Sequence, residues 1–457
     1  MYLKRLTLQN IKCFENTTVD FVPEGGWNVL LGVNGTGKTT LLQAMALAML
    51  GPVSGGRLLQ LPATWVRRGA DYGTIEAELQ TTGDSDNVSL GKPRKKPYET
   101  RLFVSGEKPV KPNGLELVQP QVAVDTKLSK SLNAGPYSGR AGWFSAGYGP
   151  FRRLSGGGGE ENASILYAGG REARHLTLFR ESAALTNCEK WLTQLHSEAV
   201  DSALPADARE VAGRKRDVAK LVIDKLLPTG VHIGGMSSLG VTFRARNGAE
   251  VALGQLSDGF RSFLALVIDL LRHVFETVGE AAIYNLNGDW ILADFKGVVL
   301  IDEADAHLHP SWQRDIGFRL TEVFPFVQFI VSTHSPFVAQ AARDRGLFVV
   351  RGNEEGDVVV EPADVSVRGW RADQVLLSPL FNLTSTRDPE TESLLDERSR
   401  LLGVAERGSE QSSRLAELDE VLRDRLTAPG DTLVDRDRER QMQALIDERL
   451  AYHRNHP

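Results

Sequence analysis

One stretch narrows the possible folds more than any other: Leu30-Leu31-Gly32-Val33-Asn34-Gly35-Thr36-Gly37-Lys38-Thr39-Thr40. Its spacing is G-x-x-x-x-G-K-[ST], a loop whose backbone N–H groups can close around a phosphate. The apolar Val29-Leu30-Leu31 before it reads as a buried parallel strand. Leu41 to Leu50 after it reads as an amphipathic helix, closed by Gly51-Pro52. The order strand, loop, helix is the context such a loop needs, because the helix brings its positive end to the same seat. Asn34, Gly35, Thr36, Gly37, Lys38, Thr39 and Thr40 are therefore expected to hold a nucleotide, ATP. Lys38 is expected to reach the β- and γ-phosphates, and Thr39 to ligate Mg²⁺.

Composition mainly excludes. The chain has 457 residues, 41% hydrophobic and 25% charged, with a net charge of −6. That balance suits a soluble globular protein of two or three domain-sized cores, and any nucleic-acid surface has to be a local patch. Cys13 and Cys188 are far apart and lack metal-ligand spacing, so a disulfide framework is not expected and a cytoplasmic setting is. The first residues alternate as a strand rather than a signal peptide. The longest apolar run, Phe263 to Leu271, is broken by Asp269 and too short for a membrane.

Along the chain, residues 1–50 read strand, turn, strand, loop, helix. Lys12 follows the first strand and either faces the nucleotide or is solvated. Thr74 to Leu79, Thr100 to Val104 and Leu115 to Val118 predict an antiparallel side sheet. Between them, Lys92-Pro93-Arg94-Lys95-Lys96-Pro97, with Lys108 and Lys111 behind, is either a solvated loop or a phosphate-backbone contact for DNA. Gly142 to Arg153 reads as a strand ending in a loop. Arg152 and Arg153 could meet a phosphate or a partner subunit, or be salt-bridged at the surface. Ser155 to Gly159 reads as a flexible tract, residues 172–227 as helices, and Val231–Ile233 and Val241–Arg244 as strands.

A second group of motifs follows. Leu256-Ser257-Asp258-Gly259-Phe260-Arg261-Ser262 opens a strongly apolar helix, and Leu-Ser-x-Gly at a helix start is the signature of the ABC class of ATPase. Ser257 and the Gly259 amide, with the helix dipole, would form a second anion seat. Gly297 to Ile301 reads as a buried strand delivering Asp302 and Glu303 to its carboxyl end, where open α/β sheets bind ligands. Asp302 is expected to hold the metal and Glu303 to act as general base on the attacking water. Phe329 to Pro336 is one more buried strand with a polar tip, which puts His334 near the γ-phosphate.

These motifs, in this order over about residues 1–350, resemble the ABC-ATPase head of SMC-like and OLD-like proteins. Ile301-Asp302-Glu303-Ala304-Asp305-Ala306-His307-Leu308-His309-Pro310 and Ser332-Thr333-His334-Ser335-Pro336 extend the resemblance to bacterial ATP-binding proteins of Septu-type and retron anti-phage systems. Asp258 stands where that class commonly has glycine. No glutamine-loop residue is evident, and the Tyr148 to Arg153 loop is its candidate replacement. The resemblance implies a head-to-head homodimer, or a higher even-numbered oligomer. Two shared sites would take Ser257 and Gly259 from one copy and Lys38, Asp302, Glu303 and His334 from the other. It also implies a separate effector, a nuclease or toxin, gated in phage defence. Two other readings stay open: a DNA-repair ATPase that clamps DNA directly, and an ATP-binding scaffold without turnover.

The long interval from Thr39 to Ser257 carries no sustained heptads, so an inserted compact lobe is expected rather than a coiled-coil arm. The expected fold is α/β: an ABC-ATPase head with a parallel core sheet, an antiparallel side sheet, an inserted helical lobe and a helical C-terminal extension. The expected boundaries are 1–140, 141–240, 241–365 and 366–457. In the extension, helices are expected over Glu390–Gly403, Ser409–Leu426 and Arg436–His453, as a cap or a docking surface. Asp435-Arg436-Asp437 lacks the surrounding pattern of a nuclease centre.

Overall fold

The computed structural model describes residues 1–86, 96–138, 143–152, 169–185, 188–237, 240–245, 247–279, 283–286, 289–292, 295–353, 356–404, 406–427, 432–434, 436–438 and 441–442. Arg153, the tract Ser155 to Gly159, the basic residues Lys92, Arg94 and Lys95, and Asp435 lie outside them. In chain order the strands are β1 (Tyr2–Ile11), β2 (Phe14–Asp20), β3 (Gly26–Leu31), β4 (Tyr72–Gln80), β5 (Tyr98–Ser105), β6 (Val122–Val124), β7 (Phe144–Tyr148) and β8 (His232–Ser237). They continue as β9 (Gly240–Arg244), β10 (Glu250–Ala252), β11 (Ile283–Leu286), β12 (Asp289–Leu292), β13 (Gly297–Ile301), β14 (Val327–Thr333), β15 (Leu347–Gly352) and β16 (Val358–Pro362).

The fold is α/β. The core sheet has the order β16-β15-β3-β14-β13-β7, and the side sheet β2-β1-β4-β5-β6. From β15 to β7 every pairing in the core sheet is parallel, and only β16 runs antiparallel. The continuous apolar runs follow from this. Every residue of β13 and β14 is buried, as parallel strands covered on both faces must be. The side sheet is antiparallel throughout. Ile301 pairs with Val331 on one side and Tyr148 on the other, and Leu31 pairs with Thr333. The carboxyl ends of β3, β14, β13 and β7 therefore share one edge.

The helix after the glycine-rich loop runs Lys38–Leu58 and lies between the two sheets. Leu41, Leu42 and Met45 share one core with Leu6, Ile75 and Leu102 of the side sheet and Leu30, Leu300 and Ile330 of the core sheet. Covered from both sides, it is apolar nearly all round, not amphipathic. Each such aliphatic side chain contributes roughly 1.5–3 kcal/mol relative to exposure. Gly51-Pro52 kinks the helix and does not close it. Gly51 has φ 78°, which redirects the chain, and a Cβ there would sit 2.7 Å from the Tyr137 ring. Pro52 then starts a second helical piece, where its missing N–H costs nothing.

The expected strand Leu115–Val118 is reduced to an isolated bridge between Leu117 and Val110, across a turn at Pro112–Gly114. Asn113 and Gly114 have φ 51° and 82°, which curl the chain, and β6 takes the sheet edge instead. The expected helices of residues 172–227 are short turns at Arg171–His175 and Leu176–Phe179, then helices Cys188–Val200 and Ala206–Leu226. β10, β9 and β8 form a separate three-stranded sheet.

The chain divides into two compact units, Met1–Val375 and Leu376–Pro457. In the second, helices Pro389–Leu402 and Ser409–Arg425 contribute Leu395 and Leu422 to a small core with Leu426 and Leu433. Arg398 is buried there against Asp419 at 2.6 Å and Asp437 at 2.9 Å. The expected helix Arg436–His453 falls mostly outside the described residues. Among those residues, no helix is long and apolar enough to cross a membrane.

Candidate nucleotide-binding site

The site is built where β3, β13, β14 and β7 end. β3 delivers the glycine-rich loop, and the helix begins at Lys38 with Gly37 as its cap at φ 88°. A side chain at Gly37 would meet the Cys13 sulfur at 2.5 Å, so the loop can turn only because nothing is there. Lys38 is buried, and its ammonium donates to the carbonyls of Gly32 at 2.8 Å and Val33 at 2.9 Å. Burial pushes its pKa down, while the carboxylates of Asp302, Glu303 and Asp305 pull it back up. Thr36 closes the loop through a 2.9 Å bond to the Val33 carbonyl.

One bond ties the first turn of the helix to the tip of β13. The Thr39 hydroxyl donates to Asp302 Oδ2 at 2.7 Å. The other carboxylate oxygen accepts from Ser332 Oγ at 2.5 Å, and Ser332 Oγ in turn accepts the Glu303 N–H at 2.8 Å. Glu303 has φ 45°, a left-handed conformation that costs a non-glycine residue of order 1 kcal/mol. Its backbone is held there from both sides, by Ser332 and by Arg152. The Glu303 carboxylate has no hydrogen-bond or ion-pair partner among the described residues, which leaves it available to a water.

Asp305 secures the next strand tip. It accepts from Thr333 Oγ1 at 2.5 Å and from the His334 backbone N–H at 3.3 Å. His334 is exposed at the same edge. Partial desolvation and the nearby Lys38 charge hold its imidazole below the usual histidine range, against the pull of Asp305, Glu303 and Asp302. Three carboxylates therefore face a single lysine, an excess of negative charge where a triphosphate is expected. A hydroxyl and a carboxylate already in contact are hard oxygen donors suited to Mg²⁺, which usually takes one or two protein ligands and completes its shell from substrate and water. Among the described residues, no group of three or more His, Cys, Asp or Glu could hold a metal without such help.

The signature stretch caps the helix Asp258–Val278. Ser257 is its N-cap, exposed and without a side-chain capping bond. A Cβ on Gly259 would lie 2.0 Å from the His307 carbonyl, so this glycine lets the helix press on the loop after Glu303. Asp258 is paired with Arg261. No hydrogen bond joins Ser257 or Gly259 to the glycine-rich loop among the described residues.

Lys12 sits over the Trp65 ring at 4.3 Å and donates its N–H to the Trp65 carbonyl at 2.8 Å, beside Cys13 under Gly37. Lys111 is paired with Glu116 at 3.2 Å. Arg152 is buried, not at the surface. It reaches the carbonyls of Asp302 at 3.4 Å and Glu303 at 3.1 Å, and Ser262 Oγ at 3.3 Å. Sequence reasoning missed Ser332, Asp305 and the acceptors of Arg152. The polar tip of β14 and the acids after Glu303 were visible signals, but their pairing across strands was not.

A family profile described as "AAA domain, putative AbiEii toxin, Type IV TA system" matches residues 27–339, and one described as "AAA ATPase domain" matches residues 1–50. Septu protein PtuA of Bacillus mycoides (strain KBAB4) is 25% identical over 458 residues, 99% of this chain and 54% of that protein. Retron Ec83 probable ATPase of Escherichia coli is 33% identical over 172 residues, 37% of this chain and 29% of that protein. The chain thus spans about half the length, or less, of these relatives. A solved structure of an SMC head bound to the C-terminal winged-helix domain of ScpA aligns with a TM-score of 0.46 at 14% identity, over 79% of this chain and 98% of that one.

Proposed function

We propose, from the premise that this chain belongs to the AAA-domain family whose profile spans residues 27–339, that it hydrolyses ATP at sites shared between two copies of itself. The observation that carries the reading is the Thr39 to Asp302 bond, with Lys38 on one side and, on the other, the Glu303 carboxylate, unpartnered among the described residues. Asn34 to Gly37 and Thr40 wrap the phosphates with backbone N–H groups, Lys38 neutralises charge on the terminal phosphates, and His334 donates to the γ-phosphate. Thr39 and Asp302 would hold Mg²⁺, which when bound supplies charge neutralisation at the phosphate oxygens. Glu303 takes a proton from the attacking water. Lys12, on its platform of Trp65, borders the nucleotide.

The uncapped, exposed Ser257 supports the shared site. Its hydroxyl and the Gly259 N–H have no hydrogen-bond partner among the described residues, which leaves them open to a nucleotide held by another copy. Such a site makes ATP binding favour the dimer and hydrolysis release it. The similarity to Septu and retron ATPases supports a role in anti-phage defence, in which this cycle gates a separate nuclease or toxin. The lobe boundaries at 140, 240 and 365 are part of the same proposal.

The test is ATP-dependent assembly. Ser257→Arg should bind ATP yet neither dimerise nor turn it over. Undiminished assembly and hydrolysis by that variant would remove the shared site.

A further inference from the structure

Both halves of the shared site lie on one chain, and the structure joins them through a short segment after β7. We infer that Arg152 is a positioning residue that couples the helix opening at Ser257 to the loop carrying Glu303, making the two ATP sites of a dimer interdependent. The inference rests on the composite-site reading.

Three contacts form the link. Arg152 Nε donates to Ser262 Oγ on the signature helix at 3.3 Å. Its two terminal nitrogens reach the Asp302 carbonyl at 3.4 Å and the Glu303 carbonyl at 3.1 Å. Only a planar guanidinium presents enough donors in fixed directions to serve two elements at once, and a lysine cannot. Arg152 is 4% exposed and has no ion pair among the described residues. A buried cation facing carbonyls and a hydroxyl is expensive to desolvate. The negative field of Asp302, Asp305 and Glu303 offsets that cost, and burial still lowers its pKa to about 10, so it is charged at neutral pH.

The last residue of β7 makes a second rung. The Tyr148 hydroxyl donates to Asp269 Oδ2 at 3.2 Å, and the Tyr148 carbonyl accepts the Asp302 N–H at 2.8 Å. Asp269 lies two turns beyond Ser262, on the same helix face. A third rung is steric: Gly259 has no room between the helix and the His307 carbonyl. The helix cannot slide without disturbing the backbone of Glu303, which already holds a left-handed φ of 45°. Contact of Ser257 and Gly259 with the other copy's nucleotide therefore reaches the general base of this copy's own site.

The full-length chain is assayed for phosphate release against ATP concentration, with binding of the non-hydrolysable analogue AMP-PNP measured separately. The wild type should be sigmoidal, with a Hill coefficient between one and about two, the number of sites. Arg152→Met should lower kcat about tenfold or more and bring the Hill coefficient to about one, with AMP-PNP affinity per chain nearly unchanged. Arg152→Lys should not restore cooperativity. Ser262→Ala removes the helix end of the link while leaving the arginine in place, and should also abolish cooperativity, even if Arg152→Met does not fold. Wild-type cooperativity in Ser262→Ala, or in a folded Arg152→Met, overturns the coupling and leaves the shared site standing. A change in KM alone also overturns it. Hyperbolic turnover by a monomeric wild type overturns the shared site, and the coupling with it.

Discussion

The Thr39 hydroxyl and the Asp302 carboxylate meet at 2.7 Å, although the two residues come from opposite ends of the nucleotide-binding fold. The bond ties the first turn of the central helix to the tip of β13. Ser332 holds the second carboxylate oxygen from β14, so three strand ends converge on one acid. The carboxylate is thereby fixed by protein contacts alone where Mg²⁺ is proposed to bind.

Asp302→Asn separates the charge of this acid from its hydrogen bonding. The amide oxygen can still accept from Thr39, but the amide N–H₂ then faces Ser332 Oγ and that bond must reverse, so the chain should fold with a small loss of stability. Turnover should fall on the order of 10²–10³-fold, and the Mg²⁺ concentration for half-maximal activity should rise. Phosphate release across a Mg²⁺ titration, beside a thermal melt, checks both parts.

Glu303→Gln removes the proposed base and keeps its shape. ATP binding should persist while hydrolysis slows by roughly 10²–10⁴-fold. Size-exclusion chromatography with ATP should show an accumulated dimer. Turnover at the wild-type rate would take Glu303 out of its proposed role.

Gly259→Ala forces a methyl group to within 2.0 Å of the His307 carbonyl, whereas Gly254 has open space around it. The first change should cost about 1–3 kcal/mol of stability and weaken ATP-dependent assembly. Gly254→Ala should do neither. Paired denaturant melts distinguish the two.

His175 sets an acid limit. Burial, then the nearby Arg171, Arg174 and His273, lowers its pKa from 6.5 to about 3, against the opposing pull of its bond to Ser145. The unfolded chain therefore binds a proton below pH 6.5 that the folded chain refuses until about pH 3. Stability from this group is present above that window and is lost as pH falls through it, by up to about 1.4 kcal/mol per pH unit. His175→Gln should flatten the decline in melts between neutral and acid pH.

The sequence made local chemistry legible. Gly32 to Thr40 announced their loop because the spacing, the preceding strand and the following helix are all contiguous. Asp302, Glu303 and His334 were readable because a buried apolar run must deliver its polar tip to a sheet edge. Misreadings arose where neighbours distant in sequence decide. The central helix has no polar face because the side sheet covers the side expected to meet solvent. Leu115 to Val118 form one isolated bridge rather than a strand, because the left-handed Asn113 and Gly114 turn the chain back so that Leu117 pairs with Val110.

By itself, then, the sequence determined the glycine-rich loop, the acid pair, the signature helix and the α/β class, since each depends on residues adjacent along the chain or on one periodicity. Only the tertiary structure decided that Thr39 meets Asp302, that Ser332 orients Glu303, and that Arg152 is buried between two elements. Those facts depend on parallel register, which sets strands far apart in sequence side by side, and hydrogen bonds act over about 3 Å whatever the separation along the chain.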